Sequence, residues 1–203
     1  MTTVQSLTLE VPDPAAAESF YAALGVGKYV DVRAAQTPTT GFRGYTLSLV
    51  VSQPNIVDAF VAAAVENGAA VVKPAKKSLW GYGGVVQAPD GALWKIATSS
   101  KKNTGPAVRE FDDLVLLLGV ADVKASKQFY VDHGLEVAKS FGRKYVEFAG
   151  ASTKVKLALY GRRALAKDAG VTEDGTGSHR IVIGSDAGAF TDPDGFAWES
   201  ARV

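Results

Sequence analysis

Apolar and polar residues alternate through residues 4–11, as in a strand with one buried face. The spacing then becomes helical over residues 15–24, with Phe20, Tyr21 and Leu24 on one side. Asp13 supplies an N-cap, Pro14 a first helical residue and Gly25 a stop. Period two returns in a strand over 28–33 and, after a loop at 34–40, in a strand over 42–52 carrying Tyr45, Leu47, Leu49 and Val51. A strongly apolar helix follows over 55–67 and ends at Gly68. Residues 70–73 read as a strand ended by Pro74, and Lys76-Lys77 as a basic loop leading into Leu79-Trp80-Gly81-Tyr82-Gly83-Gly84. A hairpin turning at Pro89-Asp90-Gly91 then runs to residue 98.

The pattern restarts after residues 99–106, a polar, lysine-rich stretch that reads as a linker. Residues 113–120 form a very apolar strand, and Asp122 caps a helix that Gly134 stops. From Asp122 to Phe129, Tyr130 and Gly134 the offsets are seven, eight and twelve, as they are from Asp13 to Phe20, Tyr21 and Gly25. Strands over 137–140, 144–148 and 155–160 follow, then a short helix over 163–169, a polar loop over 171–177 and a strand over 179–183. The last hairpin, residues 190–199, turns at Pro193-Asp194-Gly195 and repeats the first, with a Trp three residues after each Gly. Lys95 follows the first of these tryptophans and Glu199 the second. Repeated helices and hairpins in one order indicate an internal duplication.

Composition narrows the function. The 203 residues hold 22 basic and 21 acidic side chains, which argues against an electrostatic nucleic-acid or membrane binder. No apolar run approaches a membrane span, and the first ten residues lack a signal pattern, so a soluble cytoplasmic protein is expected. With no cysteine, disulfides, thiolate metal sites and cysteine nucleophiles are excluded.

Asp-capped helices ending Phe-Tyr-x-x-x-Gly, and hairpins of the Pro-Asp-Gly-x-x-Trp type, resemble the vicinal oxygen chelate (VOC) superfamily. That superfamily includes glyoxalase I, the bleomycin-resistance proteins and the extradiol dioxygenases. The resemblance implies an α+β fold of tandem βαβββ modules, with curled mixed sheets forming cups and helices outside. The first and fourth modules are truncated: the first lacks two strands, and the fourth has no room for a helix between Asp186 and Phe190. The usual pairing divides the chain into residues 1–100, a linker at 101–110 and residues 111–203. A cup built from the complete second and third modules is the other arrangement.

The resemblance also implies that a divalent metal can be held by four cup-lining positions, two on first strands and two on last strands, with candidates in each module. On the first strands they fall at Ser6, near Thr46, at Val115 and at His179, seven residues before Asp186. On the last strands they fall at Lys95, at Leu157 to Leu159 and at Glu199. A transition-metal site wants imidazole and carboxylate, and an ammonium at Lys95 repels a cation. No bound metal and no cofactor are therefore expected, with a weak divalent ion at His179 and Glu199 left open.

The leading expectation is a bleomycin-resistance-like binder of a small, planar organic molecule, with Trp80, Tyr82, Tyr45 and Lys95 as ligand-binding residues. Because Trp94 and Lys95 are adjacent on one strand, they face opposite sides, with Lys95 in the cup and Trp94 in the core. The alternative is an enzyme of the lyase, isomerase or dioxygenase type using His179 and Glu199 as catalytic residues. A third reading is an interaction module whose cup is filled by side chains. A buried pair without chemistry competes with catalysis at His179 and Glu199, and a core role competes with ligand stacking at Trp80. Arg143, Lys144, Lys154, Lys156, Arg162 and Arg163 read as a solvated face rather than an anion site. The partner expected is a small molecule, without nucleic acid or membrane, and a homodimer is left open.

Overall fold

Asp13 accepts a hydrogen bond from the Ala16 amide, Pro14 opens the first helix, and Gly25 closes it in the left-handed conformation. The computed structural model containing these caps describes residues 2–150 and 154–201. In chain order its elements begin β1 (Val4–Val11), α1 (Pro14–Leu24), β2 (Val30–Ala34) and β3 (Thr39–Gly41). The second module is β4 (Tyr45–Val50), α2 (Pro54–Glu66), β5 (Ala70–Ser78), β6 (Gly81–Gln87) and β7 (Leu93–Thr98). The third is β8 (Asp113–Val120), α3 (Val123–Asp132), β9 (Val137–Ser140), β10 (Tyr145–Phe148) and β11 (Val155–Gly161). Then come α4 (Arg162–Ala169), β12 (Gly175–Gly177), β13 (Ile181–Ser185), β14 (Phe190–Thr191) and β15 (Ala197–Ser200). None of these helices is long and apolar enough to cross a membrane.

Two curled mixed sheets carry the fold, one of five strands in the order β14-β15-β13-β1-β2 and one of eight in the order β5-β6-β7-β4-β8-β11-β10-β9. A two-stranded ribbon joins β3 to β12. The eight-stranded sheet is the second and third modules, joined where β4 runs antiparallel to β8. The five-stranded sheet is the truncated first and fourth modules, joined where β1 runs antiparallel to β13. Strand pairing therefore cuts across the sequential halves 1–100 and 111–203, and the complete modules do share one sheet. The polar stretch between them is held down: Gln53, buried at the start of α2, donates to the Gly105 and Pro106 carbonyls and accepts from the Thr104 and Gly105 amides.

The helices tie the two sheets together, each from one module to the next in sequence. Tyr21 on α1 donates to Asp90 in the hairpin of the second module, and Tyr130 on α3 donates to Asp192 in that of the fourth. Both rings are buried, beside Trp94 and Trp198 respectively. Phe20 is buried as expected, but its counterpart Phe129 is only partly so, lying between His133 and Phe190. The tyrosines are the matched core anchors. His133, whose Nδ1 lies 2.8 Å from the Phe129 carbonyl, belongs to this aromatic packing.

Two local expectations change. Pro74 does not end its strand, because β5 is an edge strand whose register shifts between Lys73 and Lys76, across the proline, where a missing N–H is tolerated. Tyr82, Gly83 and Gly84 lie in β6 rather than in a loop.

Candidate functional site

On β1 the pleat sends Leu7, Leu9 and Val11 into the core and leaves Ser6, Thr8 and Glu10 on the other face. Parallel pairing places Asp31 beside Thr8 and Arg33 beside Glu10. On the far side Gly184 lies opposite Ser6, and Glu199 lies beside Gly184. Gly184 leaves room for the Ser6 hydroxyl, since a Cβ there would come 2.2 Å from Ser6 Oγ and turn it away. The concave face of the five-stranded sheet is thus a polar surface with small residues along its middle.

Arg33 reaches across it. Its Nη2 and Nε donate to Glu10 Oε1 at 2.8 and 3.1 Å, and its Nη1 donates to Glu199 Oε1 at 3.0 Å. Glu10 is on the neighbouring strand, whereas Glu199 lies beyond the two intervening strands β1 and β13, so the contact depends on the curl of the sheet. Burial works against the guanidinium's charge, but the hydrogen bonds to Glu10 and Glu199 outweigh it and raise its pKa. Cavities of about 580 and 730 Å³ lie on the two sides of this bridge. The first is walled by Ser6, Thr8, Asp31 and Glu199, the second by Glu10, Arg33, His179 and Ala197.

These residues do not fit a metal ion. Among the described residues no three His, Cys, Asp or Glu side chains gather where they could hold one. The two carboxylates that face each other across the cup already share a fixed cation, the Arg33 guanidinium.

His179 and Glu199 do not form a pair. His179 precedes β13, at the rim. Its Nδ1 lies 2.6 Å from the Arg43 carbonyl oxygen, its Nε2 lies 3.0 Å from that of Asp194, and its ring stacks on buried Phe196. Both nitrogens face acceptors, so the ring acts as a clamp between the start of the second module and the hairpin of the fourth. The sequence pairing missed Arg33 and Glu10. The alternation Val30-Asp31-Val32-Arg33 carried the signal, since it sends Asp31 and Arg33 to the face opposite the two valines.

The eight-stranded sheet separates Trp94 and Lys95 as the period of a strand requires. Trp94 is fully buried on the helix side, and Lys95 stands on the concave side with its Nζ 2.6 Å from Asp168 Oδ2 of α4. Tyr45 pairs with Leu118 in register with the core row Leu47–Trp94, so its ring belongs to the core, and burial raises its hydroxyl pKa. Tyr82 touches a small pocket beside Lys95, but its hydroxyl donates to Asp58 of α2 at 2.7 Å, on the helix side. Trp80 stands 84% exposed at the β5–β6 turn. The four expected ligand-binding residues therefore do not form one wall. Tyr45 is in the core, and Tyr82 touches the pocket lined by Trp80 and Lys95 while its hydroxyl is turned to a helix.

Helix α4 explains why this second cup is not open. It packs on β8, β11 and β4 and places Leu165, Ala166 and Ala169 against Leu93, Leu117 and Phe42. Gly119 permits the approach, because a Cβ there would lie 3.1 Å from the Arg162 Cα. The expected basic face is dispersed into local contacts: Lys156 pairs with Asp113, Lys154 donates to the Phe111 carbonyl, and Arg162 donates to those of Phe42 and Glu173.

No protein-family model and no curated protein matches the sequence. Solved structures do match. Glyoxalase I from Zea mays is 14% identical with a TM-score of 0.63, over 98% of this chain and 91% of that one. Its V278E mutant is 15% identical with a TM-score of 0.62, over 98% and 91% of the two chains. A proposed dioxygenase from Bacillus subtilis is 14% identical with a TM-score of 0.51, over 95% of this chain and 71% of that one. The chain has the vicinal oxygen chelate fold along nearly its whole length.

Proposed function

We propose that the chain binds a small organic molecule without a resident metal, on the concave face of the five-stranded sheet above Arg33. The observation that carries this reading is the Arg33 guanidinium held between Glu10 and Glu199. A fixed cation stands among the carboxylates of the cup, so a ligand carbonyl or carboxylate has a planar donor group to meet. Ser6, Thr8 and Asp31 add hydrogen-bonding groups on one side, and Val182 and Ala197 add apolar surface. This is sequestration of the bleomycin-resistance kind. Lyase, isomerase or dioxygenase chemistry through His179 and Glu199 has less support, because both His179 nitrogens are engaged by backbone carbonyls.

The test combines elemental analysis with ligand screening by native mass spectrometry. The reading expects sub-stoichiometric transition metal and a small-molecule adduct that R33M abolishes while the fold is retained. A stoichiometric metal lost in E199Q, or an adduct indifferent to R33M, would overturn it.

A further inference from the structure

A smaller pocket, of about 170 Å³, lies where β5, β6 and β7 meet the end of α4, apart from the five-stranded sheet. Its wall carries three ammonium groups, Lys73, Lys76 and Lys95, and one carboxylate, Asp168. The carboxylate is bound to Lys95 at 2.6 Å, while Lys73 Nζ donates to the Asp168 backbone carbonyl at 2.8 Å. The charge balance around a small, partly shielded space is therefore positive, with Lys76 exposed at its side.

The mouth adds an aromatic surface. Trp80 lines the pocket yet is 84% exposed, an unusual position for the largest side chain in a protein whose other tryptophans are buried. Gly83 keeps the floor low beneath it. Its Cα faces the side of β6 shared with Lys95 and Ala97, and a Cβ there would lie 2.9 Å from the Ile96 carbonyl oxygen. Flat floor, aromatic rim and excess positive charge suit one kind of ligand.

We propose that this pocket binds a small aromatic carboxylate, whose ring lies on Trp80 and whose carboxylate displaces Asp168 from Lys95. The aspartate is an internal competitor for the anion, so removing its charge strengthens binding rather than weakening it. This separates the proposal from a structural role for the Lys95–Asp168 pair, whose loss would leave affinity unchanged or lower it. The proposal is independent of the cup above Arg33.

The experiment titrates the full chain with benzoate, with benzamide as the neutral isostere and acetate as the ringless anion. It follows Trp80 fluorescence and the amide resonances of Gly83 and Gly84. Benzoate is expected to bind more tightly than either control. K95M is expected to weaken benzoate by roughly tenfold or more, the size of a charge-assisted hydrogen bond, while sparing benzamide. Read at the Gly83 and Gly84 amides, W80A, at an exposed site that leaves the core intact, is expected to remove binding and D168N to tighten it. Absence of benzoate binding, equal binding of benzamide, survival in W80A, or weakening in D168N would each overturn the proposal.

Discussion

Tyr21 donates its hydroxyl hydrogen to Asp90 at 2.5 Å, tying the helix of the first module to the hairpin of the second. Its counterpart Tyr130 makes the same kind of bond to a different turn position, Asp192, while Asp194, the equivalent of Asp90, accepts from the Ala121 amide and the Ser126 hydroxyl. The sequence explains the shift. Where the second copy has Ala121 and Ser126, the first has Pro12 and Ala17, which offer neither an amide hydrogen nor a hydroxyl. Asp90 is left to take the tyrosine. Tyr21→Phe is expected to destabilise the fold by about 1.5–3 kcal/mol, as loss of a hydrogen bond to a charged acceptor does. Urea unfolding checks this, and an unchanged midpoint would show that the bond is redundant.

Asp192 gives a pH dependence of defined sign. Burial, partly offset by its hydrogen bonds from Tyr130 and the Phe196 amide, raises its carboxyl above the usual range. The folded state then binds this proton more tightly than the unfolded one. The contribution is fully present below the unfolded value near 3.8 and is lost as pH rises through the raised folded value. Relative to Asp192→Asn, the wild type is expected to gain stability as pH falls through that window. Paired denaturation curves over acid pH measure the difference, and a gain in the opposite direction would reverse the assignment.

The tryptophans should separate cleanly. Trp94→Ala truncates a fully buried ring and is expected to cost about 3–5 kcal/mol. Trp80→Ala, at the exposed turn, is expected to stay within about 0.5 kcal/mol. Thermal melts of the two variants decide whether the inside and outside of β6 and β7 are correctly placed.

Gln53 is a structural staple for the segment joining the second and third modules. Gln53→Ala removes its bonds to Thr104, Gly105 and Pro106 and should expose residues 103–106 to limited proteolysis well before global unfolding. Cleavage there at the wild-type rate would show that other contacts hold the segment.

Much of the architecture was legible because it is written in local chemistry. Asp13, Pro14 and Gly25 fix α1, and the adjacency of Trp94 and Lys95 separates core from cup through the two-residue period alone. Tyr45 was misplaced although the same period puts it in the row of Leu47 and Leu49. The pairing of modules was not legible, because hydrogen-bonded partners such as Thr46 and Leu117 carry no mark of one another. His179 resembled a ligand by its spacing from Asp186, but the strand begins two residues later, at Ile181. Asp168 could not be foreseen as the partner of Lys95, since only the docking of α4 brings them together.

The module pairing is nested like brackets: the inner pair closes where Val50 meets Asp113, the outer only where Leu7 meets Ile183. A growing chain can assemble the whole eight-stranded sheet while its first strand still waits for a partner near the far end. Long-range closure slows such a step, so the five-stranded sheet is expected to gain amide protection after β4 and β8 in pulse-labelled hydrogen exchange. The face that carries Arg33 is then the last surface to exist, and a chain cut short before Ile181 would keep its inner sheet and never form the cup.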